Sequence, residues 1–316
     1  MPTRSNSIHR KLILRLTVAS LFLAVLMGTV AFQFAQRQLQ HQFIDTPQTE
    51  AYLVRTSWSA AGLAVAFVLA TALIVYPIMR GLLGKLEKQA EHLLYANVDI
   101  IKVLGSAIAK RDSDTDAHNF RVTLYSVRLA EAIGLDEPSI RSLIKGAFLH
   151  DVGKIAIRDA ILLKPGRLTT EEFTEMQSHV GHGLEIVESA GWLADAAQVI
   201  GGHHEKYDGS GYPNGLSGEA IPITARIFAI ADVFDALTSV RTYKNALSPE
   251  QALEILREGA GRHFDPALVE AFDPLASVLH ALLDQQEDVL RPMLDGVVRP
   301  YLRNMLREAV DEMIDS

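Results

Sequence analysis

Two long apolar runs dominate the first eighty residues of the chain. Residues 16–35 and residues 58–79 contain no charged side chain. At ~1.5 Å per residue, a helix of about 20 residues crosses a hydrocarbon core of ~30 Å. The pattern predicts a membrane anchor over residues 1–80 with two transmembrane helices. A cleaved signal peptide is the alternative interpretation of the first run.

Basic side chains flank the outer ends of both runs. Because positively charged flanks stay on the cytoplasmic side of a membrane, both ends of the chain are predicted to be cytoplasmic. The sequence therefore predicts a multi-pass protein of the inner (cytoplasmic) membrane, with the domain that follows residue 80 in the cytoplasm. The flanking basic residues are Arg4, Arg10, Lys11 and Arg15 before the first run and Arg80, Lys85 and Lys88 after the second.

Beyond the second run, apolar residues recur at alternating steps of three and four positions, which is the spacing of a coiled-coil seam. Asn97 falls on this seam, where a buried Asn sets the register and the number of strands. The pattern predicts a helical stalk over residues 81–107 that forms a homodimer. Packing of this helix on its own domain is the alternative. The seam positions are Leu83, Leu86, Ala90, Leu93, Asn97, Ile100, Leu104 and Ala107.

The remainder of the chain also shows helical periodicity, and it contains no alternating segment long enough for a sheet. The predicted fold class is therefore all-α. A C-terminal extension over residues 276–316 contains Pro292 and Pro300, which are expected to divide it into short amphipathic helices. The main helices predicted before it cover residues 138–155, 169–186, 193–204 and 222–240.

Composition limits the chemistry that the chain can carry. The chain has no cysteine, which excludes disulfides, thiolate metal sites and cysteine nucleophiles. Any bound metal must therefore be held by His, Asp and Glu. The formal net charge of −8 and the lack of a basic stripe in the sequence argue against nucleic acid as a partner.

Six of the eleven histidines lie between His118 and His204, with acidic residues beside them. Imidazole and carboxylate ligands suit iron, manganese, nickel or zinc ions. In the adjacent pair His150–Asp151, the carboxylate can bridge two ions, and two ions ~3.5–4 Å apart suit phosphodiester hydrolysis. Lys154 falls on the same helical face and can bind phosphate or help to protonate a leaving oxygen. A solvated surface lysine is the alternative.

Short motifs connect these residues in a fixed order along the chain. They include His150-Asp151-Val-Gly-Lys154, His203-His204-Glu205 and Asp208-Gly-Ser-Gly211-Tyr212-Pro213. In these motifs the chain resembles the HD-GYP family of cyclic di-GMP phosphodiesterases, a branch of the HD metal-dependent phosphohydrolases. The resemblance implies an all-helical catalytic domain over residues 100–275 that holds two or three divalent metal ions, Fe or Mn.

The resemblance also implies a role for each matching residue. Asp151 would bridge two metal ions, and Lys154 would act beside it in catalysis. Asp114 is a candidate ligand for a third metal, because some family members have a carboxylate there, although usually Glu; an ordinary exposed acid is the alternative. The implied metal ligands are His118, His150, Asp151, His179, His203, His204 and Asp232. The implied substrate contacts are Lys154, Gly211, Tyr212, Pro213, Arg241 and Lys244.

The expected activity is that of a membrane-anchored phosphodiesterase. It would hydrolyse the second messenger cyclic di-GMP to pGpG and/or GMP with a metal-activated water. One alternative is an HD hydrolase of another cyclic dinucleotide or nucleotide. The other is a cyclic di-GMP receptor of low turnover that acts by protein contact. The expected partners are thus cyclic di-GMP, the membrane, a second copy of the chain and signalling proteins.

Overall fold

A computed structural model describes residues 47–111, 116–240 and 245–315, together with isolated helical positions between 22 and 37. Asp114, Arg241, Lys244 and most of the apolar run 16–35 lie outside the described residues. The chain divides into two compact units, residues 1–93 with 305–316, and residues 94–304. Every described side chain that the motifs single out belongs to the second unit.

The described residues form α-helices joined by short 3₁₀ segments. They contain no strand, and their only bridges are two isolated ones, Asp208–Ser217 and Ala260–Phe264. The predicted all-α fold class is therefore confirmed. The helices are α1 (Pro47–Arg111), α2 (Asp116–Ala132), α3 (Glu137–Leu149), α4 (Asp159–Leu162), α5 (Thr170–Gln177), α6 (His179–Glu188), α7 (Ala197–Gly202), α8 (Ile223–Thr238), α9 (Pro249–Glu258), α10 (Pro266–Leu283) and α11 (Glu287–Asp315); the 3₁₀ segments are Val152–Ala156, Gly191–Ala196 and Gly218–Ala220.

Helix α1 is continuous through the second predicted membrane span and the predicted stalk. The most apolar window between Val54 and Arg111 has a mean hydropathy of 2.3, and 6% of it is buried. Helix α10 is also long and apolar enough to cross a membrane. Its Phe272, however, is fully buried and packs edge-on against Tyr125 and Phe234. Helix α10 is therefore a core helix of the domain.

The core of the second unit lies where α2, α3 and α8 pack together. Large apolar side chains from each of these helices have almost no access to solvent. Burial of such side chains is the main source of stability, at ~25 cal/mol per Å² of apolar surface. The largest members of this core are Phe120, Tyr125, Leu143, Leu149, Phe228 and Phe234.

Three of the predicted helices are shortened or interrupted relative to the sequence pattern. The predicted helix 138–155 stops at Leu149 and is followed by the 3₁₀ segment Val152–Ala156. The predicted helix 169–186 begins as expected, with a capping box between Thr169 and Glu172, but it is divided at Ser178. The helix predicted at 193–204 opens as a 3₁₀ segment and ends at Gly202. At each break, one or two of the motif histidines lie at a helix end.

The C-terminal extension also differs from its prediction. Helix α11 runs through both Pro292 and Pro300 instead of being divided by them. Its Leu290, Leu294 and Val298 are buried, which gives the helix one continuous apolar face. The predicted boundary at residue 276 falls inside α10, so that helix crosses from the predicted catalytic domain into the extension.

Candidate metal centre

Two groups of potential metal ligands lie near each other at the ends of the helices. The first group is His118 from α2, His150 after α3 and Asp232 from α8; the second is His179, His203 and His204. Within each group the potential ligand atoms lie within 4.8 Å of one another. Nitrogen and carboxylate oxygen atoms at this spacing form the kind of ligand set that transition metals prefer.

Asp151 lies between the two groups and presents one oxygen to each. Its Oδ2 atom is 3.0 Å from His150 Nε2, and its Oδ1 atom is 3.6 Å from His179 Nε2. The two groups also meet directly, because the rings of His150 and His203 pack edge-on at 5.4 Å. A carboxylate in this position can bind one ion through each oxygen.

Backbone hydrogen bonds orient three of the five imidazoles in the two groups. The Nδ1 atoms of His150, His179 and His203 lie 2.6–2.9 Å from the carbonyl oxygen three residues earlier in each case. A proton on Nδ1 satisfies this contact, so Nε2 carries the lone pair that binds a metal. The early helix ends make the arrangement possible, because a histidine in the last turn reaches the carbonyl that precedes it by three residues.

His118 is oriented by a side chain that lies 117 residues further along the chain. Its Nδ1 atom is 2.7 Å from Asp235 Oδ2, while its Nε2 atom is 3.4 Å from Asp232 Oδ1. Arg121 donates two hydrogen bonds to the Asp235 carboxylate, at 2.5 and 2.9 Å. Burial would raise the pKa of Asp235, but its bonds to His118 and Arg121 outweigh burial and lower the pKa to about 2.

The two groups differ in their electrostatics. Burial lowers the pKa of His203 well below its usual value, and burial with the charge of His179 lowers that of His204 to about 3. Burial would also lower the pKa of His150, but the adjacent Asp151 carboxylate overcomes it and raises the pKa to about 9. Near neutral pH the second group is therefore uncharged and can bind a cation without losing protons.

Lys154 extends along the edge of this cluster. Its Nζ atom is 2.8 Å from Asp151 Oδ2, in a 3₁₀ segment instead of the predicted helix. A β-carbon on Gly153 would lie 1.8 Å from the carbonyl oxygen of His179 and 2.4 Å from the amide nitrogen of Gly183. The absence of a side chain at Gly153 thus allows this segment to pack directly on α6.

The Gly211-Tyr212-Pro213 loop begins directly after the second group. Glu205 is buried and accepts hydrogen bonds from the backbone N–H of Asn214 at 2.8 Å and of Leu216 at 3.0 Å. The ring of Tyr212 stacks on His204, with centroids 4.6 Å apart, and its outer side meets Phe173. The loop is therefore fixed against the ring of a candidate metal ligand.

The donor set fits divalent metal ions. Four of the five imidazoles are held by second partners, the groups lie on both sides of one carboxylate, and the chain has no cysteine that could act as a sulfur ligand. The structure brings together every described residue of the predicted ligand set, with Lys154 and Tyr212 beside it. The assignment of these residues as ligands remains a prediction, as do the roles of Asp114, Arg241 and Lys244, which lie outside the described residues.

Several supporting residues were missed by the sequence interpretation. The sequence motifs assigned no role to Asp235 or Arg121, which hold His118 in place. Glu205, named above only as part of a motif, binds the amides of the loop. Asp208 is exposed and accepts a hydrogen bond from the backbone N–H of Ser210, as a loop acid does. The one sequence signal for these contacts is the position of each residue inside a motif.

Comparison with known proteins identifies the family. The model of the HD domain family matches residues 102–268, which is more than half of the chain. The chain belongs to the HD domain family, and the resemblance to its HD-GYP branch is confirmed. The matched range lies within residues 100–275, and the bounds of the catalytic domain stay a prediction.

Three relatives show how far the similarity extends. The chain is 48% identical over 190 residues to a cyclic di-GMP phosphodiesterase of Vibrio cholerae, covering 55% of this chain and 39% of that protein. It is 47% identical over 174 residues to 3′3′-cGAMP-specific phosphodiesterase 2 of the same species, covering 54% and 33%. It is 47% identical over 170 residues to the cyclic di-GMP phosphodiesterase response regulator RpfG of Xanthomonas campestris, covering 53% and 45%. The similarity thus spans less than half the length of each relative.

Proposed function

We propose that this chain is a metal-dependent phosphodiesterase that hydrolyses cyclic di-GMP to pGpG and/or GMP. The observation that carries the proposal is the position of Asp151, whose two oxygens face two separate groups of potential ligands. The names of two of the relatives described above support the choice of substrate.

The proposed ligands are the six residues of the two groups together with Asp151. When bound, two divalent ions activate a water and offset the charge that develops on the phosphodiester. The backbone partners of His150, His179 and His203 keep the Nε2 atoms directed at the ions, which reduces the reorganisation that binding requires. Iron or manganese suits this set of imidazole and carboxylate ligands, and Asp114 is the proposed ligand for a third ion.

Lys154 and the loop would hold the substrate. The ammonium group of Lys154 lies at the edge of the cluster, where it can pair with a phosphate oxygen or donate a proton to the leaving 3′ oxygen. Tyr212 offers an aromatic ring beside His204, and Gly211 and Pro213 shape the loop that carries it. Arg241 and Lys244 are the proposed cationic contacts to phosphate or guanine.

A second candidate function is hydrolysis of another cyclic dinucleotide. It is supported by the relative that is named as specific for 3′3′-cGAMP and is nearly as similar to this chain. The two substrates share the phosphodiester ring and differ in one base, so the same metal cluster serves either. Binding of cyclic di-GMP without turnover, as in a receptor, is the third candidate.

A substrate panel tests these functions. The purified full chain, loaded with Mn²⁺ or Fe²⁺, is incubated separately with cyclic di-GMP, 3′3′-cGAMP and pGpG, and the products are separated by chromatography. We expect kcat/KM to be highest for cyclic di-GMP, with release of pGpG or GMP. A higher kcat/KM for 3′3′-cGAMP would favour the second candidate. Tight binding of cyclic di-GMP with no product would favour the receptor.

Membrane insertion through residues 58–79 and the run 16–35 is also proposed. The side chains of Trp58, Leu63, Phe67 and Leu73 are 70–76% exposed, as expected for a helix in contact with lipid. Alkaline carbonate extraction of cell membranes tests this proposal. The chain should remain in the membrane pellet, and its release into the supernatant would contradict the anchor.

The exposed face of α1 supports a homodimer through the stalk. Leu94, Val98 and Ile101 are buried, whereas Leu93 and Ile100 on the predicted seam are 65% and 60% exposed. The face that packs on the chain's own domain is thus different from the seam.

Cysteine crosslinking tests the dimer, because the chain has no cysteine of its own. We expect Leu93→Cys to form a disulfide-linked dimer in membranes under mild oxidation. Lys88→Cys, on the opposite face of the proposed coiled coil, is the matched control and should stay monomeric. Equal crosslinking of the two variants would contradict the seam.

A further inference from the structure

The guanidinium group of Arg111 lies at the end of α1 and contacts the segment that carries Lys154. Its Nη1 atom donates to the carbonyl oxygens of Lys154 at 2.8 Å and of Ile155 at 2.9 Å. Its Nη2 atom donates to the carbonyl oxygen of Ile157 and to Asp159 Oδ1, both at 2.7 Å. One side chain thus binds four acceptors within six consecutive residues.

Three of these acceptors are backbone carbonyl groups at the C-terminal end of a short helix, where hydrogen-bond donors are needed. The 3₁₀ segment Val152–Ala156 ends at these residues, and the last carbonyl groups of a helix have few partners within the helix itself. The planar guanidinium presents several N–H donors in a fixed arrangement, which suits a row of carbonyl oxygens better than the single ammonium group of lysine. Arg111 therefore fixes the C-terminal end of this segment.

The opposite side of the same segment is fixed by close backbone packing. Gly153 lies directly against the backbone of His179 and Gly183 on α6. Between these two attachments lies Lys154, whose Nζ atom is 2.8 Å from Asp151 Oδ2. The segment that carries Lys154 is thus fixed on one side by the packing of Gly153 and on the other side by the hydrogen bonds of Arg111.

We propose that Arg111 is a positioning residue that holds Lys154 and Asp151 in place for hydrolysis. The inference rests on the proposed function, because it gives Arg111 a role in the turnover at that site. Since α1 is continuous from Pro47 to Arg111, the proposal also makes the end of this long helix an element on which the rate of hydrolysis depends. A misplacement of a catalytic group by ~1 Å can reduce a rate about 100-fold.

The test compares Arg111→Ala and Arg111→Lys with wild type in the purified full chain, kept in detergent. Arg158→Ala is the matched control, because Arg158 lies in the same stretch of chain but donates to the side chain of Glu175 instead of to backbone carbonyls. Values of kcat and KM are measured with cyclic di-GMP, and bound metal is measured on the same samples. Amide hydrogen exchange over residues 152–159 is measured by mass spectrometry.

We expect Arg111→Ala to lower kcat by about 10- to 100-fold with KM within about threefold of wild type and the metal content unchanged. Free guanidinium ion added to this variant should restore part of the kcat. Arg111→Lys should show a smaller loss, and Arg158→Ala should stay within about twofold of wild type. Exchange over residues 152–159 should be faster in Arg111→Ala and unchanged in Arg158→Ala.

A kcat for Arg111→Ala within twofold of wild type would overturn the proposal, as would a loss confined to KM or one shared by Arg158→Ala. If Arg111→Ala fails to fold, a wild-type kcat in Arg111→Lys would overturn it. If wild type itself hydrolyses no cyclic dinucleotide, the proposed function fails. Hydrogen exchange is then the one test of whether Arg111 holds the segment. Unchanged exchange over residues 152–159 would in that case reject its role in holding the segment.

Discussion

The Nδ1 atom of His118 lies 2.7 Å from the carboxylate of Asp235, a side chain with no access to solvent. Arg121 binds the same carboxylate, and Ser239 Oγ is 3.2 Å from it. Because the carboxylate holds the Nδ1 side of the ring, the Nε2 atom of His118 faces Asp232 in the first group of potential ligands. Carboxylates that orient a metal-binding imidazole in this way raise its basicity and its affinity for the metal.

Replacement of this carboxylate should weaken the metal centre without removing a ligand. We expect Asp235→Asn to lower metal affinity about 10- to 100-fold, because the amide is a weaker partner for the His118 N–H and for Arg121. Competition with a chelator of known affinity measures the change. The control is Asp273→Asn, which alters a half-buried acid that is paired with Arg257 away from the two ligand groups. Equal metal affinity in the two variants would contradict the orienting role of Asp235.

Gly153 and Gly181 form a matched pair of test positions. A β-carbon at Gly153 would overlap the His179 carbonyl oxygen, whereas Gly181, in α6, has no atom within 4 Å of the position that a β-carbon would take. We expect Gly153→Ala to lower the free energy of unfolding by about 3 kcal/mol, with loss of activity as the segment with Lys154 moves. Gly181→Ala should be unchanged or up to ~1 kcal/mol more stable. Urea unfolding of both variants is the measurement; similar values would show that the close packing is not required.

We expect Glu205 to stabilise the loop and to have no effect on metal binding. Glu205→Gln replaces a buried carboxylate that accepts two backbone hydrogen bonds, so we expect a loss of ~1–3 kcal/mol in the free energy of unfolding and a higher KM for cyclic di-GMP. Asp208→Asn, at an exposed loop position, should change stability by less than ~0.5 kcal/mol. A loss of bound metal with an unchanged KM would point instead to a direct role at the metal centre.

Burial of His263 predicts a dependence of stability on pH. Burial lowers its pKa, and its ring stacks on Phe264 at 4.2 Å. Because the folded state disfavours the charged form, the contribution of His263 to stability is complete above the unfolded pKa of about 6.5 and is lost as the pH falls through the lower folded pKa.

This dependence can be measured with His263→Gln. Unfolding midpoints in urea are compared between pH 7.5 and pH 5.5 for wild type and the variant. The variant, which has no group to protonate at this position, should lose less stability over that interval. The same loss in both proteins would show that His263 titrates normally in the folded state.

The sequence was sufficient for the helices and for the list of candidate ligands, because both leave local signals. The period of apolar residues located the helices, and the motifs singled out His118, His150 and the other candidate ligands, which the structure brings together; their role as metal ligands stays a prediction. The helix ends at Leu149, Ser178 and Gly202 were not predicted, because the apolar pattern continues across them. Packing against neighbouring helices, and not local preference, decides where these helices stop.

Contacts between distant parts of the chain were also beyond the sequence. The bond between His118 and Asp235 joins residues 117 positions apart, and the one between Arg111 and Lys154 joins residues 43 apart. A single sequence marks some of these residues as parts of motifs, but it does not show which residues pair with each other. The need for glycine at position 153 likewise arises only when the backbone of α6 lies against it.

Metal-dependent hydrolysis at Asp151 is tested most sharply when metal content and turnover are measured on one sample. The full chain and its Asp151→Asn variant are purified without oxygen, loaded with Mn²⁺ or Fe²⁺, analysed for metal per chain and assayed with cyclic di-GMP. We predict two or three ions per wild-type chain with release of pGpG or GMP, and at least a 1,000-fold lower rate in the variant, because the carboxylate between the two ligand groups is gone. Substantial activity in Asp151→Asn, or hydrolysis by wild-type protein that binds no metal, would contradict the central claim.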